Sequence, residues 1–216
     1  ARTIPAMPTA VKKDKRLRPS ALRSFQQTIW DYYRDHGRAM PWRETSNPYH
    51  ILVSELMLQQ TQVPRVLEKY REFIARFPDA AALAKAPLRS VLTVWQGLGY
   101  NRRALALQQI ARIVVERCKG KVPSSLDELV KLPGIGKATA SAILAFAFNQ
   151  PIAFIETNIR TVFIHFFFFD RDTVSDEEIL PLVDQTLDTD NPREWYYALM
   201  DYGTVLKKTA ANAGRK

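Results

Sequence analysis

Residues 131–142 read KLPGIGKATASA. Helical spacing of apolar residues runs up to Leu132, Pro133 and two glycines punctuate it, and small residues from Lys137 onward reopen a helix. Gly134 and Gly136 permit positive φ and let the backbone come close to another molecule. The first turn of the new helix has unpaired N–H groups that favour an anion. A helix–hairpin–helix gripping a phosphate without reading sequence fits this pattern. A plain tight turn between packed helices competes with it, and Lys137 and Thr139 beside the glycines favour the anion.

Outward from the hairpin, the chain is helical in both directions. Leu22, Phe25, Ile29 and Tyr32 recur at helical spacing after Ser20, and Gly37 ends that run. MPWRETSNPY (40–49) is a loop, and HILVSELMLQQTQ is expected to be one helix. Pro64 opens a further helix at its first turn. AALAKAP and LRSVLTVWQ predict short helices, RRALALQQIARIVVERC a long amphipathic one, and PSSLDELVKL and SDEEILPLVDQTL carry capping boxes. PREWYYALMDYG closes the ordered part at Gly203. No strand-period run and no internal repeat appears, so the expected class is all-α.

The 216 residues suffice for one domain or two small ones with a real core. No apolar run approaches the roughly 20 residues that span a bilayer, and the first residues lack a secretory signal's apolar centre, so an intracellular protein is expected. Cys118 stands alone, and His36, His50 and His165 lie at no ligand spacing, which argues against a thiolate cage or a metal site. The net charge of +9 is carried by the ends: residues 1–18 hold +5 and 207–216 hold +4, leaving 19–206 at zero. Two solvated tails explain such a charge as well as a polyanionic partner does, so binding has to be argued from the body.

FIETNIR (154–160) sets Glu156 just after an apolar stretch and just before a predicted helix. Helix capping is the common role for such a carboxylate, and the helix N-terminus favours its ionised form. Glu55, framed by Val53, Leu56, Met57 and Leu58, sits in a setting that raises a carboxyl pKa. FIHFFFFD (163–170) predicts a buried helix with His165 packed in it.

With PWR, SELMLQQTQV, WQGLGY, LPGIGKATASAIL and IETNIRTV in this order, the chain resembles the helix–hairpin–helix (HhH-GPD) DNA glycosylases, most of all the MutY-type adenine glycosylases. The resemblance implies two helical domains flanking a DNA-binding cleft. One is a six-helix domain over 45–150 with its hairpin at 131–142. The other joins 20–44 to 151–216, after a basic flexible tail over 1–19. It implies catalytic roles for Glu55 (general acid), Glu156 (where the family usually has aspartate) and Asn158, which fixes that carboxylate. A base pocket would involve Trp42, Arg43, Leu58 and Ala138. DNA contacts would come from Gln59, Gln60, Thr61, Tyr100, Arg102, Leu132, Gly134, Gly136, Lys137 and Thr139, with Gln60 and Tyr100 wedged into the opened duplex. Arg103 beside Arg102 is a second candidate phosphate clamp.

The implied activity is hydrolysis of an N-glycosidic bond in base excision repair, with adenine opposite guanine or 8-oxoguanine as the base released. Thymine or uracil mismatches are the alternative within the superfamily, and a non-catalytic damage-binding protein is the alternative of another class. The partner is double-stranded DNA carrying a mismatch or damaged base, met by a monomer. Glycosylases that also nick the strand carry a Schiff-base lysine where this chain has Ala138. Lys137, one residue earlier, is rotated by about 100° on a helix, so a monofunctional enzyme is expected. The family's four cluster-binding cysteines have no counterpart in MDYGTVLKKTAANAGRK, so no iron–sulfur cluster is expected, and packing by Trp195, Tyr196, Leu199 and Tyr202 must hold that end. The expected cofactor is none, save that a monovalent cation at the hairpin turn is compatible with the family. The module that many adenine glycosylases use to read oxoguanine is not expected in this chain.

Overall fold

The computed structural model describes residues 16–171 and 173–213. The expected tail over 1–19 lies outside them up to residue 15, and its remainder is not a free tail, since Leu17 is buried with its N–H donating to Gln185 and Pro19 opens a helix. No strand occurs among the described residues. The chain divides into two compact units, 39–148 and 1–38 with 149–216.

The continuous unit opens with a 3-10 turn, Pro41–Arg43, followed by α2 (Pro48–Leu58), α3 (Val63–Arg76), α4 (Ala80–Lys85), α5 (Leu88–Trp95), α6 (Arg102–Arg117), α7 (Leu126–Leu129) and α8 (Lys137–Phe148). That is seven helical segments where six were expected; α7 is barely one turn. Start signals explain the boundaries. Asn47 accepts hydrogen bonds from the backbone N–H of Tyr49 and His50 ahead of Pro48, and Asp79 accepts one from Ala82. In α2 and α8 most residues are buried, so these two helices form the centre and the others cover them. Residues 39–44, expected in the other unit, belong here because the Trp42 ring packs edge-on against Tyr70 at 5.3 Å.

The discontinuous unit contains α1 (Pro19–His36), α9 (Thr157–Phe167), α10 (Asp176–Thr186) and α11 (Pro192–Ala213). Phe25 is its hub, with ring centroids 5.4, 5.1 and 6.0 Å from Phe163, Phe166 and Trp195. Trp195, Tyr196, Leu199 and Tyr202 are all fully buried here. The aromatic run is only partly interior: Phe163 and Phe166 are buried, whereas Phe169 lies past the helix end and is half exposed.

One expectation is overturned. α11 does not stop at Gly203 but continues to Ala213. A Cβ on residue 203 would lie 2.4 Å from the carbonyl oxygen of Asn158 and 2.8 Å from its carbonyl carbon. Glycine stands there because two helices touch backbone to side, not because the helix ends.

Candidate active site and nucleic-acid interface

Glu156 is the N-cap of α9. Its Oε1 accepts hydrogen bonds from the backbone N–H of Asn158 (2.7 Å) and Ile159 (2.8 Å), and its Oε2 accepts one from the Asn158 side-chain amide at 3.3 Å. Lys207 on α11 donates to the Asn158 Oδ1 at 2.8 Å. The carboxylate is thus pinned by the first turn of its own helix and by an amide that α11 holds. Burial nevertheless pushes the Glu156 carboxyl above its usual range. The hydrogen bonds from Ile159 and Asn158 and the charge of Lys207 oppose that rise without cancelling it. This corrects the expectation from sequence, where the helix N-terminus alone was set against an unweighed desolvation.

Glu55 occupies the last turns of α2 and is half-buried, with Ser54, Leu56 and Met57 buried beside it. Asn47 and Pro48 fix where α2 starts and therefore which face carries Glu55.

Beyond α2 the chain reaches Gln60, which has φ +54°, and beyond α5 it reaches Tyr100, which has φ +47°. Both are exposed, Tyr100 by 54%. Left-handed backbone in residues with a Cβ costs of order 1–3 kcal/mol and persists only where the surroundings impose it. Here a single buried guanidinium does so. Arg103 donates from Nη1 to the carbonyls of Leu56 (3.0 Å), Met57 (2.9 Å) and Gln59, and from Nη2 to those of Leu98 (3.0 Å) and Gly99 (3.1 Å) and to the Thr61 hydroxyl (3.0 Å). It satisfies the orphan carbonyls at the end of α2 and laces the Gln60 loop to the Tyr100 loop. Burial pushes its pKa down, yet a guanidinium stays charged. Arg103 is therefore a clasp and not a phosphate clamp. Its neighbour Arg102 is exposed and lies over the Tyr100 ring, 5.8 Å from the centroid.

The hairpin faces the same loops. Gln59 donates through Nε2 to the Gly134 carbonyl (3.3 Å) and the Thr139 hydroxyl (3.4 Å). Gln59, Gln60, Tyr100, Arg102, Arg103 and Thr139 enclose a recess of about 330 Å³. Gly134 has φ +76°, and Gly134, Gly136, Lys137 and Ala138 are all exposed at the turn and the start of α8. An anion can therefore reach the free N–H groups of that helix, with Lys137 beside it.

Several of the expected contact residues have buried or internally hydrogen-bonded side chains. Trp42 is buried at 4% exposure, so its ring props the 41–43 turn from inside, while Arg43 is half-buried. The Leu132 side chain is buried at 6%, because the residue before the hairpin anchors it to the core. The Gln59 and Thr61 side chains are engaged in internal hydrogen bonds. Leu58 is half-buried and Ala138 exposed, and neither lines the 330 Å³ recess. The residues present do not suit a thiolate-held cluster: α11 carries no cysteine, Cys118 closes α6 in the other unit, and no group of three His, Cys, Asp or Glu able to hold a metal occurs among the described residues. No helix there is long and apolar enough to cross a membrane.

Residues 53–182 match the family described as HhH-GPD superfamily base excision DNA repair protein. The chain belongs to the HhH-GPD superfamily. It has curated relatives described as adenine DNA glycosylases. One from Buchnera aphidicola subsp. Baizongia pistaciae is 39% identical over 187 residues, covering 84% of this chain and 52% of that protein. Another from Mycobacterium tuberculosis is 42% identical over 132 residues, covering 61% and 43%. The chain spans about half the length of the curated relatives it matches. Among solved structures, a thermostable thymine-DNA glycosylase aligns with TM-score 0.78 at 25% identity, covering 86% of this chain and 87% of that one. Endonuclease III trapped as a covalent DNA intermediate aligns with TM-score 0.74 at 19% identity, covering 88% of each, a likeness of fold.

Sequence reading gave Arg103 and Gly203 other roles, a phosphate clamp and a helix end, and missed Lys207. Arg103 was legible in principle, since it stands four residues before the buried Leu107 and seven before the buried Ile110, on the apolar stripe of α6 where a charge needs a reason. Gly203 and Lys207 gave no local signal, because their partner Asn158 is more than forty residues away.

Proposed function

We propose that the chain is a monofunctional DNA glycosylase of base excision repair that hydrolyses the N-glycosidic bond of a flipped adenine mispaired with guanine or 8-oxoguanine in double-stranded DNA. The observation that carries the reading is the pinned carboxylate of Glu156, whose Oε2 keeps acceptor capacity beyond its bond to Asn158. Membership of the HhH-GPD superfamily and the likeness to adenine glycosylases over 84% of the chain support it.

The reaction needs two opposite electrostatic services. The departing purine must gain a proton, which Glu55 supplies from its apolar setting on α2. The sugar becomes oxocarbenium-like, and ionised Glu156 stabilises that charge and orients the water that attacks C1′. The water's proton leaves through the same carboxylate, which completes the hydrolysis. Gln60 and Tyr100, rigid on their left-handed turns, fill the space left by the extruded nucleotide, and extrusion costs a few kcal/mol, less at a mismatch. The hairpin holds a backbone phosphate through its N–H groups and Lys137. Ala138 provides no amine for a Schiff base, so hydrolysis is not followed by strand scission.

The deciding experiment is single-turnover base release across duplexes carrying A, T or U opposite G or 8-oxoguanine, read before and after alkali. Adenine release that appears as a strand break only after alkali supports the reading. Release of thymine or uracil instead refutes the substrate, and nicking without alkali refutes the monofunctional assignment. Glu156→Gln must abolish release while DNA affinity is retained; an unchanged rate sinks the mechanism.

A further inference from the structure

We propose that Lys207 is a positioning residue for Glu156, fixing the Asn158 amide in the orientation that donates to the carboxylate and setting a positive charge behind it. The inference rests on the reading above, in which Glu156 acts ionised. An asparagine amide can face either way, and with Oδ1 toward a carboxylate it repels. Lys207 carries donors only, so it can bind Oδ1 and nothing else of that amide. Its 2.8 Å contact therefore leaves Nδ2 for the Glu156 Oε2, as found. The chemistry dictates the orientation.

The fold delivers Lys207 to this spot. Gly203 and Lys207 are four residues apart on α11 and so lie on one face of it. The bare Gly203 lets that face meet the Asn158 backbone, and one turn later the lysine stem reaches the Asn158 side chain. Two carboxylates on the neighbouring helices are ion-paired. Asp201 on α11 is paired with Arg38, Asp176 at the start of α10 with Arg160, and α1 meets α9 through Phe25. His165 lies in the last turn of α9, about 13 Å along the helix axis from Glu156. No Asp, Glu, Lys or Arg occurs between residues 150 and 155. The charge of Lys207 opposes the burial that would neutralise the Glu156 carboxyl.

The test compares Lys207→Met, which keeps the aliphatic stem, with Lys207→Arg, which keeps the charge. Two readouts are taken: the side-chain carboxyl ¹³C titration of Glu156, assigned by its loss in Glu156→Gln, and the pH profile of single-turnover adenine release. Lys207→Met is expected to raise the proton affinity of Glu156 about tenfold. Release should fall about tenfold at pH below the titration midpoint and recover at high pH. Lys207→Arg should restore both. A Glu156 titration unmoved in Lys207→Met, or a rate deficit equal at every pH, overturns the proposal. If the wild-type chain releases no base from any duplex, the glycosylase reading fails, and the carboxyl titration still decides the role of Lys207.

Discussion

Replacing Gly203 by alanine tests the close approach of α11 to α9. The added Cβ would stand 2.4 Å from the Asn158 oxygen and 2.8 Å from the Asn158 Cβ, against an ordinary contact of 3.4 Å or more. The Asn158 atoms it meets are backbone or next to it, so no side chain can swing aside. α9 and α11 must separate by about 1 Å, the difference between those distances. Overpacking of this kind costs about 1–3 kcal/mol, whereas alanine gains about 1 kcal/mol over glycine in a helix interior. The net loss of stability is small, about 0–2 kcal/mol, and the protein still folds.

The consequence for the site is larger. Glu156 caps the turn that must move, and a shift of about 1 Å in a catalytic group costs on the order of 100-fold in rate. Urea unfolding followed by circular dichroism would give the first quantity. Single-turnover adenine release opposite 8-oxoguanine would give the second. Gly203→Ala with a wild-type rate and an unchanged unfolding midpoint would show that α11 does not position Glu156 through this contact.

Three further outcomes follow from the same structure. Arg103→Met strips five carbonyls and a hydroxyl of their donor and should cost about 3–5 kcal/mol in urea unfolding, with Arg103→Lys recovering less than half because a point donor cannot reach both loops; an intact midpoint in the methionine variant refutes the clasp. Because burial raises the Glu156 pKa, its neutral form contributes stability that is present below the unfolded glutamate value and is lost as pH rises through the folded value. Base release should do the opposite, rising with pH through that same folded value; a rate whose acid limb lies at an ordinary glutamate pKa contradicts the structure. Gly134→Ala meets a left-handed φ of +76° and the Ala106 methyl at 3.3 Å, so it should cost about 1–2 kcal/mol and weaken affinity for undamaged duplex measured by fluorescence anisotropy; unchanged affinity would remove the hairpin from the phosphate contact.

Much of this molecule is local, and local features are legible. Helical spacing, Asn47 with Pro48, Asp79, and the Pro-Gly-Ile-Gly turn announce themselves within a few residues, because capping, backbone freedom and amphipathic period act over one or two turns. Glu156 as the cap of α9 was visible for the same reason. Which side chains point outward was less so. Trp42 and Leu132 lie in motifs that resemblance marks as contacts, yet burial assigns them to the core, and burial depends on what packs against them from elsewhere in the chain.

The sequence by itself determined the all-helical class, the hairpin and the two acids with their neighbours, since each is written in contiguous residues. Tertiary structure alone decided that Arg103 turns inward to clasp two loops, that Gly203 lies within a helix it was expected to end, and that Lys207 meets Asn158. Those facts depend on distances between segments far apart in the chain. Desolvation likewise is a property of the packed interior, which is why the rise in the Glu156 pKa could not be read from FIETNIR.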